Sequence, residues 1–162
     1  YVIENKEFRE KLKPALNNQP QSTEASHILV FAAWKSVTEA KVDEYMSLVA
    51  ETRGVAIDSL AGFKSMVLGY LSKQSTEEIQ SWASKQTYIA LGTAMVSAAS
   101  QQIDATPMEG FSAAAVNELL ELDKRDLHAS VILALGYRDA TIDPLASANK
   151  VRKPIHKLID II

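Results

Sequence analysis

The sequence predicts an α+β fold in which a mostly helical shell surrounds a small central β-sheet. Two observations carry this. Residues 27–33 (HILVFAA) and 129–135 (ASVILAL) are short apolar runs rich in β-formers, as buried strands require. Between them lie stretches whose apolar residues recur at three- and four-residue steps, and these helices do not alternate with strands as they would around a parallel sheet. The 162 residues read as one domain, 1–162, long enough to bury a core without disulfides or a structural metal.

Taken in order, residues 1–3 predict a buried strand, and Asn5 can cap a short helix that carries Phe8 and Leu12 on one face and ends or kinks at Pro14. Residues 16–21, with their Asn, Gln and Pro20, predict a turn or a ligand-facing loop. Val42, Tyr45, Met46 and Val49 form the stripe of an amphipathic helix that begins near Thr38 and closes at Gly54, where a left-handed cap is needed. Residues 57–72 predict another helix, with Leu60, Phe63, Val67, Tyr70 and Leu71 as its stripe and Gly62 and Gly69 weakening it. The string Ser75-Thr76-Glu77-Glu78 is a capping box, and the helix it opens can run to about Gln102. Its second half is apolar around most of its circumference, which predicts burial on nearly all sides, within a core or against a partner chain. Residues 103–111 predict a loop broken by Pro107 and Gly110, after which Ser112 caps a helix burying Val116, Leu119 and Leu120. Beyond the second strong strand, residues 138–148 are polar, 149–154 basic and 155–162 apolar, a tail suited to adding onto a second subunit.

Composition removes several functions. Lys plus Arg number 17 against 20 Asp plus Glu, a net charge of -3, so there is no basic surplus with which to bind nucleic acid. The absence of cysteine excludes thiol catalysis and Cys-ligated metals, and favours a reducing, cytoplasmic setting. No apolar run is long enough to span a membrane. His27, His128 and His156 are scattered without ligand spacing, so no metal site is expected. Nucleophile elbows, phosphate-cradling loops and dinucleotide-binding glycine motifs are missing, which leaves a bound cofactor as the source of any difficult chemistry.

The strings Lys85-Gln86-Thr87-Tyr88-Ile89-Ala90-Leu91-Gly92 and Pro107-Met108-Glu109-Gly110-Phe111 stand in order with Asn18-Gln19-Pro20-Gln21, Ala25-Ser26-His27 and Asn149-Lys150-Val151-Arg152-Lys153-Pro154. Together they resemble the FMN-dependent nitroreductase family, over most of the chain. The resemblance implies an intertwined α+β homodimer with FMN at the subunit interface, which takes hydride from NAD(P)H and reduces nitroaromatics, quinones or similar acceptors. It implies that Pro107, Met108, Glu109 and Gly110 lie beside the flavin, with the Gly110 amide near the ring and Glu109 where nicotinamide or substrate stacks. On spacing alone the same stretch also suits a plain helix-linking turn. The resemblance further assigns Asn18 to the ring's pyrimidine edge, with Asn17 as the other match, and brings Gln86 towards the flavin. It gives Lys150 and Arg152 to the phosphate, although a solvated basic run reads the same way. Lys85 and Tyr88 read as well as ordinary helix surface and core as they do as flavin neighbours, and Trp34, Trp82, Phe63 and Tyr70 more often as core than as slot lining. The family's Arg-rich, Ser-containing first helix and its Asn/Gln-Pro-Trp stretch have no counterpart ahead of Tyr1, so the chain reads as beginning within the domain. The rival reading is a truncated, flavin-free remnant that still dimerises.

Overall fold

The two most apolar runs pair with each other, and the rest of the chain is arranged by what they leave uncovered. The computed structural model describes residues 1–162. Strand β2 (His27–Trp34) lies antiparallel to β4 (Leu127–Gly136). Strand β1 (Val2–Ile3) adds to one edge and β3 (Asp104–Met108) to the other, giving a four-stranded sheet of order β1-β2-β4-β3. Alternation along the two central strands sends Ile28, Val30, Ile132 and Ala134 to one face and Val131 and Leu133 to the other. Burial of each such aliphatic side chain contributes roughly 1.5–3 kcal/mol.

On the first face pack α1 (Lys6–Leu12), the tight 3-10 turn Lys13–Leu16 and α6 (Ala113–Leu119), through Leu12, Leu16 and Val116. Both helices begin at the predicted caps: the Asn5 carboxamide oxygen accepts from the Phe8 amide at 2.8 Å, and the Ser112 hydroxyl from Ala115 at 3.3 Å. The second face is covered by α5 (Thr76–Ser100), which opens on both halves of the capping box and packs Leu91 against Val131 and Leu133. A short α2 (Gln21–Glu24) leads into β2. Helices α3 (Glu39–Arg53) and α4 (Ala61–Leu71) pack on each other, and α3 ends at Gly54 in the left-handed region (φ 63°), as predicted.

Several expectations change. Residues 103–111 are not a loop throughout, because Asp104–Met108 pair with β4. Pro107 fits there because β3 is an edge strand, where a missing amide hydrogen costs no ladder bond on the open side. The N-terminal strand exists but sits at an edge, so that only Ile3 is buried while Tyr1 and Val2 are exposed. The helix predicted over 57–72 divides into a 3-10 turn, Ile57–Leu60, and α4, which buries no residue; its stripe residues Phe63 and Tyr70 are exposed. In the second half of α5 only Leu91 and Ala98 are buried, and Ile89 and Val96 stand 65% and 71% exposed on the face turned away from the sheet. The apolar residues of 155–162 are exposed as well.

A bulge marks where α5 crosses the sheet. Pairing steps from Phe31 opposite Val131 to Ala32 opposite Ala129, which leaves Ser130 as the extra residue. The Ser130 hydroxyl shares a 2.9 Å hydrogen bond with that of the buried Thr87, which also donates to the Ser84 carbonyl at 2.7 Å. Ser84 meets Nε2 of His128 at 3.1 Å. This polar seam fixes the rotation of α5 over β4, and therefore the direction of the side chain at position 88.

Candidate active site at the loop after β3

Strand β3 ends on Met108, which is buried (3% exposed) and pairs with Ile132, so the chain leaves the sheet at a rigid point. It then turns within three residues. The Phe111 amide donates to the Glu109 carbonyl at 2.9 Å, and the Ser112 amide to the Ala15 carbonyl at 2.8 Å, which ties the far side of the loop to the end of the 3-10 turn. Asn17 closes that turn in the left-handed region (φ 53°), aiming its carboxamide at the loop. The side-chain amides of Asn17 and Gln19 both donate to the Gly110 carbonyl, each at 2.8 Å. With the carbonyl gripped in this way, the amides of Glu109 and Gly110 have no hydrogen-bond partner within the chain.

The same loop is anchored from the other side by α5. The Tyr88 hydroxyl donates to the Glu109 carboxylate at 2.5 Å, and this hydrogen bond to a charged acceptor raises the pKa of the phenol, with burial adding to the effect. Gly110 has an ordinary backbone conformation, and a Cβ there would meet Gln19 Nε2 at 3.5 Å and Asn17 Nδ2 at 3.9 Å, which is normal van der Waals contact. Nothing inside the chain therefore requires glycine at 110. A further unsatisfied group lies on the segment after Gln19: the buried Oε1 of Gln21 has no partner.

The residues singled out in the sequence fall into three places. Pro107, Met108, Glu109 and Gly110 form the end of β3 and the turn itself, and Asn17 and Gln19 contact them, whereas Asn18 is exposed in the left-handed region (φ 55°) with no side-chain hydrogen bond. Gln86, two residues from Tyr88 and so on the opposite side of α5, lines a groove of about 480 Å³ with Trp34, Trp82 and Phe31. Its amide donates to the Trp82 carbonyl at 3.4 Å. Lys150 and Arg152 are exposed on the segment after β4. Lys150 is close enough to Asp104, at the start of β3, for its charge to help lower that carboxyl's pKa, and Arg138, hydrogen-bonded to Asp104, is the larger cause. Within one chain, neither Gln86 nor the basic pair makes a hydrogen bond to the Gly110 turn. Gln19 and Tyr88 both stand within motifs that carry the family resemblance, which assigns Gln19 no role and leaves that of Tyr88 open. Nothing in the spacing of Tyr88 and Glu109, which belong to different elements, shows that they meet.

Comparison with known proteins bears on the family and the fold. A family model described as the nitroreductase family matches residues 1–137. A Staphylococcus haemolyticus protein named as an NAD(P)H nitroreductase is 35% identical over 175 aligned positions, covering 99% of this chain and 75% of that protein. The Aliivibrio fischeri protein named major NAD(P)H-flavin oxidoreductase is 32% identical over 146 positions, 90% of this chain and 67% of its own length. Among solved structures, a Bacillus subtilis protein described as a nitroreductase superposes with a TM-score of 0.85 at 18% identity, over 100% of this chain and 76% of that one. A protein from Exiguobacterium sibiricum, described as a nitroreductase in complex with FMN, gives 0.80 at 17% identity over 100% and 75%. At those identities the structural matches speak for the fold.

Proposed function

The chain belongs to the nitroreductase family, and on that premise we propose that it is an FMN-dependent oxidoreductase passing hydride from NAD(P)H to nitroaromatic, quinone or similar acceptors, as a homodimer. The observation that carries this reading is the pair of free amides at Glu109 and Gly110, held in place by the grip of Asn17 and Gln19 on the Gly110 carbonyl. A peptide turn with unsatisfied donors, no side chain at its apex and buried Met108 behind it fits a flat ring with acceptor atoms along one edge.

When bound, FMN supplies the redox chemistry, accepting hydride and passing electrons onward. The protein's part is orientation and charge. The Glu109 and Gly110 amides donate to the ring edge, and Asn18, which has an uncommitted carboxamide, serves the alternating donors and acceptors of the pyrimidine side. The buried Gln21 Oε1 is a further acceptor without a partner. Lys150 and Arg152 carry positive charge for the phosphate. FMN is elongated, with ring and phosphate at opposite ends, which is consistent with free amides beyond one end of β3 and Lys150 near the other. Buried Met108 beneath the turn and half-buried Phe111 beside it give the turn an apolar backing.

The visible spectrum of the purified chain tests this. The expected result is a yellow protein that bleaches on addition of NADPH and regains colour with a quinone. Replacement of Arg152 by Ala should weaken FMN retention, because a hydrogen bond to a charged group contributes roughly 1.5–3 kcal/mol. A colourless protein that cannot be reconstituted with FMN overturns the proposal in favour of the flavin-free remnant.

A further inference from the structure

Helix α5 and the turn after β3 meet in a side-chain hydrogen bond, that of Tyr88 with Glu109. Both side chains are at the surface, Tyr88 being 41% exposed, and either group would find water if the other were removed, so the contact adds little to stability. Its effect is on direction. Glu109 is followed by Gly110, whose carbonyl is held by Asn17 and Gln19, and by Phe111, whose amide closes back onto the Glu109 carbonyl. The turn is thus gripped through the Gly110 carbonyl on one side and through the Glu109 side chain on the other, while the Gly110 amide between these grips and the Glu109 amide just before them stay free.

We propose that Tyr88 is a positioning residue for the ligand slot: its hydroxyl holds the Glu109 carboxylate against α5, out of the slot, and keeps the Glu109 and Gly110 amides aimed at the bound ring. This rests on the flavin reading above and deepens it. A carboxylate released into the slot would set a full negative charge beside a ring that must gain electrons, which opposes its reduction. It would also free the turn to rotate about the Gly110 anchor and move the amides off the ring edge. The phenol, whose ordinary pKa of 10.0 is raised further by the carboxylate, is a donor throughout the neutral range. The seam of Thr87, Ser130 and Ser84 sets the rotation of α5 that makes this contact possible.

The test has one arm that needs no flavin. Hydrogen exchange of the Phe111 amide, followed by NMR on the flavin-free full chain, is expected to quicken about threefold to tenfold in Tyr88→Phe and in Glu109→Ala, as local opening becomes easier. In Glu109→Gln, whose side chain still accepts from the phenol, it should remain within about twofold of the parent. In the FMN-loaded protein, Tyr88→Phe should lower kcat about tenfold with KM nearly unchanged, the result of amides displaced from the ring rather than of lost substrate binding. Exchange in Tyr88→Phe equal to the parent overturns the proposal, and so does an unchanged kcat. A parent that takes up no FMN sinks the flavin reading instead, and the exchange arm then still decides whether Tyr88 holds the turn.

Discussion

Glycine 110 is where a single residue carries most of the functional argument. Its φ needs no special conformation and its surroundings leave room for a methyl group, so Gly110→Ala should fold with a melting temperature close to the parent's. The added Cβ lies beside the free amides, where a flat ligand must come close. The expected outcome is therefore a stable variant whose FMN dissociation constant rises at least about fivefold, one missed hydrogen bond to the ring corresponding to roughly 1 kcal/mol or more. Isothermal titration and thermal melts read the two quantities separately. Equal FMN affinity in variant and parent would remove Gly110 from the ring contact.

At the scale of elements, the contact of α5 with β4 depends on a polar seam within an otherwise apolar face. His128, half-buried opposite Ser84, has its pKa lowered, first by burial and then by the nearby Lys35. A histidine whose folded pKa lies below its unfolded value takes up its proton first in the unfolded chain. Its contribution to stability is therefore complete above the ordinary histidine value of 6.5 and is lost as pH falls through that value towards the lower folded one. Urea midpoints measured at several values between neutral and mildly acidic pH should fall for the parent, and His128→Gln should flatten that slope. Parallel slopes in the two proteins would show that His128 does not couple α5 to the sheet. Asp104 and Asp126 behave alike in a more acid window. Hydrogen bonds from Arg138 and Lys41, respectively, depress their pKa values below 3.8, so the stability they supply persists until acid protonates them.

For the whole molecule, the notable feature is apolar surface that one chain leaves bare. Ile89 and Val96 stand on the outer side of α5, and Leu158, Ile159 and Ile161 on the final segment are exposed as well. Large apolar side chains left bare on a long helix face suit association, and a second copy of the chain is the occupant that fits the proposed homodimer. In sedimentation at micromolar concentration the parent should run as a dimer, whereas Val96→Lys, which places a charge in the middle of that face without touching the sheet core, should run as a monomer of unchanged helical content. A monomeric parent would remove the dimer from the proposal. No helix is long and apolar enough to cross a membrane, so that function is not available to this surface through a helical span.

The sequence by itself determined the two central strands, the caps at Asn5, Ser75 and Ser112, the left-handed stop at Gly54 and the motif that ends in Glu109 and Gly110. Each of these is a local matter, decided by side chains within about a turn of one another or by an uninterrupted run of β-formers. Only the tertiary structure decided that Pro107 lies in a strand, because a proline is tolerated or not according to whether its strand has a neighbour on the amide side. It also decided that α4 and the outer side of α5 are uncovered, since an apolar stripe records the need for burial and says nothing of which surface meets it. The contacts that shape the site, Asn17 and Gln19 with Gly110 and Tyr88 with Glu109, join residues 93, 91 and 21 positions apart. Such pairs are brought together by packing of the sheet and its helices, and no periodicity along the chain encodes them.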